Sequence, residues 1–194
     1  MIIKYFDLKK NLKNNINFYL LYGQNSGLIE DTINNVFKPN FSKNIYSYDE
    51  IDVLSNIDEF KEKILNKSFF ENDKLIIINR ASDKILNFIE EIIEKKIKDL
   101  KIIIKTGILE KKSKLRNFFE KNKSTIITPY YEDNFQTLLA LAQNFFNKKK
   151  IKISAQNINF IIERSKGNRI NLKNELEKIE NYSQKKCQSV LKKF

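Results

Sequence analysis

Leu75-Ile76-Ile77-Ile78 is an unbroken run of large aliphatic residues. A run that does not alternate leaves neither face to water. It suits a strand buried on both sides, as in a parallel sheet covered by helices. Leu100 to Ile104 is a second such run, and Phe18-Tyr19-Leu20-Leu21-Tyr22, ended by Gly23, is a candidate first strand. Ile45 to Tyr48 and Thr125 to Thr128 complete the set, the latter expected to stop at Pro129.

Between these strands the apolar spacing becomes helical. Ile29, Ile33, Val36 and Phe37 share one face, and Pro39 closes that region. Ile57, Phe60, Ile64 and Leu65 mark a helix started by Ser55 or Asn56. Ser82 can cap a helix carrying Ile85, Leu86, Ile89, Ile92 and Ile93, and Lys111 to Lys121 reads as a basic helix with Leu115, Phe118 and Phe119 inward. Strands alternating with helices argue a parallel α/β sheet. After Pro129 the strands stop. Phe135 to Phe146, a segment opened by Ser154 and closed at Gly167, and Asn171 to Ile179 read as three helices. The expected division is an α/β domain over 1–133 and a small helical domain over 134–194.

Lys and Arg number 36 against 24 Asp and Glu, a net charge of +12 that favours an anionic partner such as nucleic acid. The lysines are scattered and the whole chain is rich in Lys, Asn and Ile, so charge alone marks no contact surface. Cys187 is the only cysteine and there is no histidine, which excludes disulfide frameworks, Cys/His metal sites and His-based catalysis. A lone thiol fits a reducing cytoplasm. Met1 to Phe6 is too short and too charged for a signal peptide, and no apolar run approaches the ~20 residues of a membrane span. The expectation is a soluble cytoplasmic protein with no membrane partner.

Strand, Gly turn and helix over Leu20 to Ile33 have the layout of a phosphate-binding loop. That loop needs Gly, four residues, then Gly-Lys-Ser/Thr, because the Lys and the hydroxyl serve phosphate and magnesium. Counted from Gly23, the last three places hold Leu28, Ile29 and Glu30. Counted from Gly27, Leu28 and Ile29 take the Lys and hydroxyl places. Neither register supplies a cation or a hydroxyl. The acidic pair that would hold magnesium after a buried strand is replaced by Asn79-Arg80. The loop is read as structural, with no nucleotide, cofactor or metal bound. Glu90-Glu91-Glu94 and Asp49-Glu50-Asp52 read as solvated faces or turns, and no catalytic set is found. Lys111-Lys112-Lys114-Arg116 reads as a solvated face or as a contact for a phosphate or acidic partner.

Ser68-Phe69-Phe70 precedes the Leu75 run and is followed by the turn residues Glu71-Asn72-Asp73. Neighbouring side chains diverge on any regular element, so one face cannot easily bury both rings. Two readings stay open on the residues alone: the rings cap the core at the strand entrance, or they form an outward apolar plug for a partner.

The order of these pieces resembles the delta subunit of the bacterial DNA polymerase III clamp loader. The likeness rests on Phe18-Tyr19-Leu20-Leu21-Tyr22-Gly23-Gln24-Asn25, Ser68-Phe69-Phe70 before a buried strand, and Lys101-Ile102-Ile103-Ile104-Lys105. It continues with Lys111 to Phe119 and with Gly167-Asn168-Arg169 leading into Asn174-Glu175-Leu176-Glu177-Lys178. The resemblance implies an AAA+ type RecA-like parallel sheet domain, a three-helix lid and no ATPase activity of its own, within a family that forms part of the DNA-directed DNA polymerase III holoenzyme. It implies binding and opening of the sliding clamp, the beta subunit, during DNA replication, through a loop pair that maps onto Phe69 and Phe70 beside Ser68. Phe69 stands where the family often has Leu, and Lys67 where some members are apolar. The family continues into a helical collar, which the tail Cys187 to Phe194 does not resemble. Contact with other loader subunits is therefore expected only where a collar is supplied, and contact with DNA is expected to be indirect. The competing functions are a stand-alone basic nucleic-acid-binding module and a degenerate AAA+ ATPase.

Overall fold

The computed structural model describes residues 1–12, 16–41, 44–65, 73–97 and 99–191. The chain divides into two units, Met1–Tyr130 and Tyr131–Phe194.

In the first unit a short helix α1 (Tyr5–Leu8) precedes β1 (Phe18–Gly23) and α2 (Ser26–Thr32). α2 runs on through a π turn (Ile33–Phe37) and a 3-10 turn (Lys38–Asn40) that holds Pro39 in its first turn. Next come β2 (Ile45–Asp49), α3 (Glu50–Ser55), α4 (Ile57–Leu65), β3 (Lys74–Asn79), α5 (Leu86–Glu94), β4 (Leu100–Thr106), α6 (Lys114–Lys121) and β5 (Thr125–Tyr130). The five strands form one parallel sheet in the order β2-β3-β4-β1-β5.

The unbroken apolar runs have the reason expected of them. Along β1, Phe18, Leu20 and Tyr22 enter the core that packs α5 and α6 through Phe88, Ile89, Leu115 and Phe119. Tyr19 and Leu21 enter the opposite core, under α2 and its continuation, with Leu28, Ile29, Ile33 and Phe37. β3 and β4 split in the same way, Ile76 and Ile104 to the first core, Ile77 and Ile103 to the second.

Three local expectations are corrected. β5 does not stop at Pro129 but pairs with β1 through Tyr130. Ile127 turns its N–H and its carbonyl outward to Met1 O and Ile3 N, each at 3.0 Å. Pro129, two residues on, faces the same way, so its missing N–H takes nothing from the pairing with β1. α6 begins at Lys114 rather than Lys111, because the Ser113 hydroxyl accepts the Arg116 N–H at 3.2 Å and fixes the cap there. The acidic stretch after β2 is not a solvated turn: it opens α3, and Glu50 is 7% exposed.

The second unit holds α7 (Phe135–Lys149), α8 (Ala155–Arg164) and α9 (Arg169–Leu191). Leu138, Ala142, Phe146, Ile158, Ile162, Leu172 and Leu176 close around one core. Asn134 caps α7 by accepting the Thr137 N–H at 2.8 Å, and Ser154 caps α8 by accepting the Asn157 N–H at 3.2 Å. Gly167, at φ +72°, supplies the left-handed residue after α8. Arg169, at the start of α9, donates from Nε and Nη2 to the two Asp133 oxygens, each at 2.7 Å. Among the described residues no helix is long and apolar enough to cross a membrane.

Candidate functional site

In an open parallel sheet a ligand crevice forms beyond the carboxyl ends of the strands. At that edge β1 passes into α2 through Gln24 and Asn25 alone. Asn25 is buried, its side chain accepts the Leu28 N–H at 3.0 Å, and its carbonyl accepts the Ile29 N–H at 3.1 Å. The first turn of α2 is thus capped by the chain itself. Gly23 donates its N–H to the Gly107 carbonyl at 3.0 Å, and a Cβ on it would stand 2.0 Å from the Tyr130 carbonyl oxygen. Gly23 is required for close packing of β1 on β5, not for a wide loop around phosphate.

Leu28 and Ile29, at the places of the catalytic Lys and the hydroxyl, are 8% and 1% exposed and belong to the core under the sheet. Gly27 beside them is buried too. Glu30 forms an ion pair with Lys105 at the end of β4. After β3, Asn79 donates from Nδ2 to Ser47 Oγ at 2.8 Å and to the Tyr48 carbonyl at 3.1 Å. Arg80, in the left-handed region at φ +54°, pairs with Asp49, whose hydrogen bond and charge raise the guanidinium pKa. Lys105 and Arg80, two cations at this edge, are therefore each held by a carboxylate. Among the described residues, no group of three or more His, Cys, Asp or Glu side chains could hold a metal ion.

A polar hub below the crevice was not legible in the sequence. The Glu50 carboxylate accepts the Ser82 N–H at 2.7 Å and the Ser82 hydroxyl at 2.8 Å. Next to Ser82, Asp83 accepts from the Ser113 hydroxyl at 2.6 Å and from the Leu115 and Lys114 N–H groups at 3.0 and 3.1 Å. The Ser113 hydrogen bond, followed by those two backbone bonds, holds the Asp83 carboxyl below its usual range. Arg116 on α6 donates to Glu120 at 2.8 Å and to the Leu109 carbonyl at 3.1 Å, and lies 5.3 Å over the Tyr22 ring. These bonds fix α3, α5 and α6 to the ends of β2, β3 and β1. They are scaffold contacts, and they absorb Arg116 of the basic segment. Lys111 and Lys114 remain exposed, and Lys112 pairs with Glu110 at 2.9 Å.

Ser68, Phe69 and Phe70 lie outside the described residues, between the end of α4 at Leu65 and the start of β3 at Lys74.

Comparisons with known proteins agree with this architecture. The chain matches the Bacillus subtilis DNA clamp loader delta protein YqeN with a TM-score of 0.58 and 16% identity, over 92% of this chain and 57% of that one. It matches a single-residue variant of Thermotoga maritima RuvB with a TM-score of 0.57 and 16% identity, over 87% of this chain and 56% of that one. It matches the replication initiator DnaA bound to AMPPCP and single-stranded DNA with a TM-score of 0.57 and 15% identity, over 95% of this chain and 63% of that one. The chain thus spans little more than half the length of these structures, and at such identities the likeness is one of fold, the AAA+ type α/β sheet with a helical unit after it. No curated protein sequence matches the chain. The family model for DNA polymerase III, delta subunit, matches residues 19–127, from within β1 to within β5. That match covers more than half of the sequence, and the chain belongs to the DNA polymerase III delta subunit family.

Proposed function

We propose that this chain is a clamp-loader subunit of delta type that binds the sliding clamp and helps to open it during DNA replication, without binding or hydrolysing ATP. The observation that carries the reading is the closed carboxyl edge of an AAA+ type sheet. Leu28 and Ile29 are core residues, Glu30 is paired with Lys105, and Asn79 is bonded to β2. A phosphate there would meet no free Lys of the loop, and magnesium would lack its carboxylate. A member of this family with that edge is a structural arm rather than a motor.

The clamp contact in this reading is the apolar pair Phe69 and Phe70, presented with Ser68 between two rooted elements. β3 starts one residue before the fully buried Leu75, and α4 is rooted in the core by Phe60 and Ile64. The clamp is the direct partner in this reading, and other loader subunits are partners where a collar is supplied.

The test is to flow the chain over immobilised sliding clamp at physiological salt, with and without magnesium-ATP. Saturable binding that ATP does not alter is expected. Absence of binding would remove the clamp reading, and ATP-dependent binding would restore the nucleotide site.

A further inference from the structure

Lys148, Lys149, Lys150 and Lys152 run together in the second unit. They occupy the end of α7 and its connection to α8. The chain has 24 acidic residues, yet none lies between Asn134 and Ile162, a stretch that takes in all of α7 and most of α8. Elsewhere cations meet carboxylates, as Lys61 and Lys95 meet Glu91 and Lys105 meets Glu30. A Lys-rich composition alone would have mixed acids into this stretch as well. Of the four lysines Lys149 pairs with Glu180 at 2.6 Å, while the side chains of Lys148, Lys150 and Lys152 are exposed and make no ion pair or hydrogen bond among the described residues.

Beside these lysines lies an open groove of about 820 Å³. Phe146 and Ile158 form part of its floor, Gln143 and Asn147 contribute amides, and Lys150 and Lys152 contribute charge. The turn that shapes it is fixed by the Ile151 N–H to the Phe146 carbonyl at 2.9 Å and the Lys150 N–H to the Asn147 carbonyl at 3.1 Å. Glu180 is taken by Lys149, and the unpaired ammonium groups beside it attract closely spaced anions and release their counterions. Amide side chains donate to phosphate oxygens, and an apolar floor packs sugars or bases. The apolar floor beside these lysines, where sugars or bases can pack, favours a nucleic-acid strand over an acidic protein segment.

We propose that the α7–α8 tip is a nucleic-acid contact site that binds the phosphodiester backbone without reading sequence. This goes beyond the clamp-binding reading and does not rest on it.

The experiment uses the full chain and a labelled oligo-dT of about 20 nucleotides, long enough for one site, with a duplex of the same length in parallel. Lys148→Gln, Lys150→Gln and Lys152→Gln together should weaken binding at least tenfold. At about 0.7 per phosphate for single strands, they should also reduce the slope of log affinity against log salt by about two. The matching Lys→Arg triple should keep the affinity within about threefold, since charge is retained. A control triple, Lys9→Gln with Lys111→Gln and Lys123→Gln, removes the same charge from other exposed positions and should cost much less. The proposal is overturned if wild type binds neither strand form, if the two glutamine triples weaken binding equally, or if polyglutamate of equal length binds as tightly as oligo-dT.

Discussion

The α-carbon of Gly23 faces the backbone of Tyr130 so closely that a methyl group there would lie 2.0 Å from the carbonyl oxygen and 2.8 Å from the carbonyl carbon, with φ at +140°. Gly107, whose carbonyl accepts the Gly23 N–H, has open space where its Cβ would be. The two glycines make a matched pair. Gly23→Ala combines overpacking with backbone strain, each worth about 1–3 kcal/mol. At about 2–4 °C per kcal/mol for a chain of this size, a combined loss of about 2–6 kcal/mol should lower the melting temperature by roughly 4–24 °C. Gly107→Ala should stay within about 0.5 kcal/mol of wild type. Thermal melts of both variants decide the matter, and equal losses would refute the close-packing role.

Phe69→Ala with Phe70→Ala tests the clamp plug against the capping alternative. Burying one Phe is worth roughly 1.5–3 kcal/mol, and truncating an interface anchor costs about 2 kcal/mol or more. At about 1.4 kcal/mol per tenfold, clamp affinity should fall at least about a hundredfold while the melting temperature holds. If the rings instead cap the core, stability should drop by about 3–5 kcal/mol per ring. A folded double mutant with undiminished clamp affinity would sink the plug.

ATP should not bind. Equilibrium dialysis with magnesium should show no saturable uptake below about 1 mM, the top of the usual range for enzyme substrates. The physical reason is that Glu30 and Lys105 neutralise each other and Leu28 and Ile29 face inward. Micromolar, magnesium-dependent uptake would contradict it.

Much of this was readable in the residues. β1, β3 and β4 announced themselves through apolar runs that suit a strand between two helical layers, and the degenerate loop through the absence of a Lys and a hydroxyl. What could not be read was polar and long-range. Glu50 sits in a run of acids that looks solvated, and only the fold brings Ser82, 32 positions away, under it. Pro129 looks like a strand stop until β5 is known to be an edge whose Pro129 N faces away from β1. Lys148 to Lys152 lies in a stretch whose lack of acids is visible in the sequence, but the sequence does not say which of its lysines stay unpaired. Its meaning depends on which of those lysines the fold leaves unpaired.

Asp83 should give the fold a pH dependence of known sign. Its folded-state pKa lies below the ordinary 3.8, so its contribution is complete above that value and is lost as pH falls through the folded-state pKa. Asp83→Asn should therefore melt lower than wild type near pH 6, and the gap should narrow as the pH is taken down below 3.8. A gap independent of pH would mean that the hydrogen-bond geometry, not the charge, is what stabilises the α6 cap.

Arg169 and Asp133 form a paired unit whose side chains are 12% and 4% exposed. Arg169→Ala leaves a buried carboxylate without this partner and should cost about 3–5 kcal/mol in the helical unit. Arg169→Lys should recover only part of that, since one ammonium cannot replace two parallel bonds. Hydrogen exchange across α7, α8 and α9 measures both. Protection unchanged in the alanine variant would show the pair to be dispensable.

The strand order also dictates a timetable for synthesis. β1 sits between β4 and β5, and Phe18 lies opposite Ile102, about 80 residues downstream. At about 5–20 residues per second, the ribosome leaves an apolar strand without its partners for roughly 4–16 seconds. The segment Met1 to Ile3 waits longer still, since its bridge is to Ile127. A nascent chain built this way exposes Phe18 to Tyr22 to whatever attends the exit tunnel until β4 and β5 have been made.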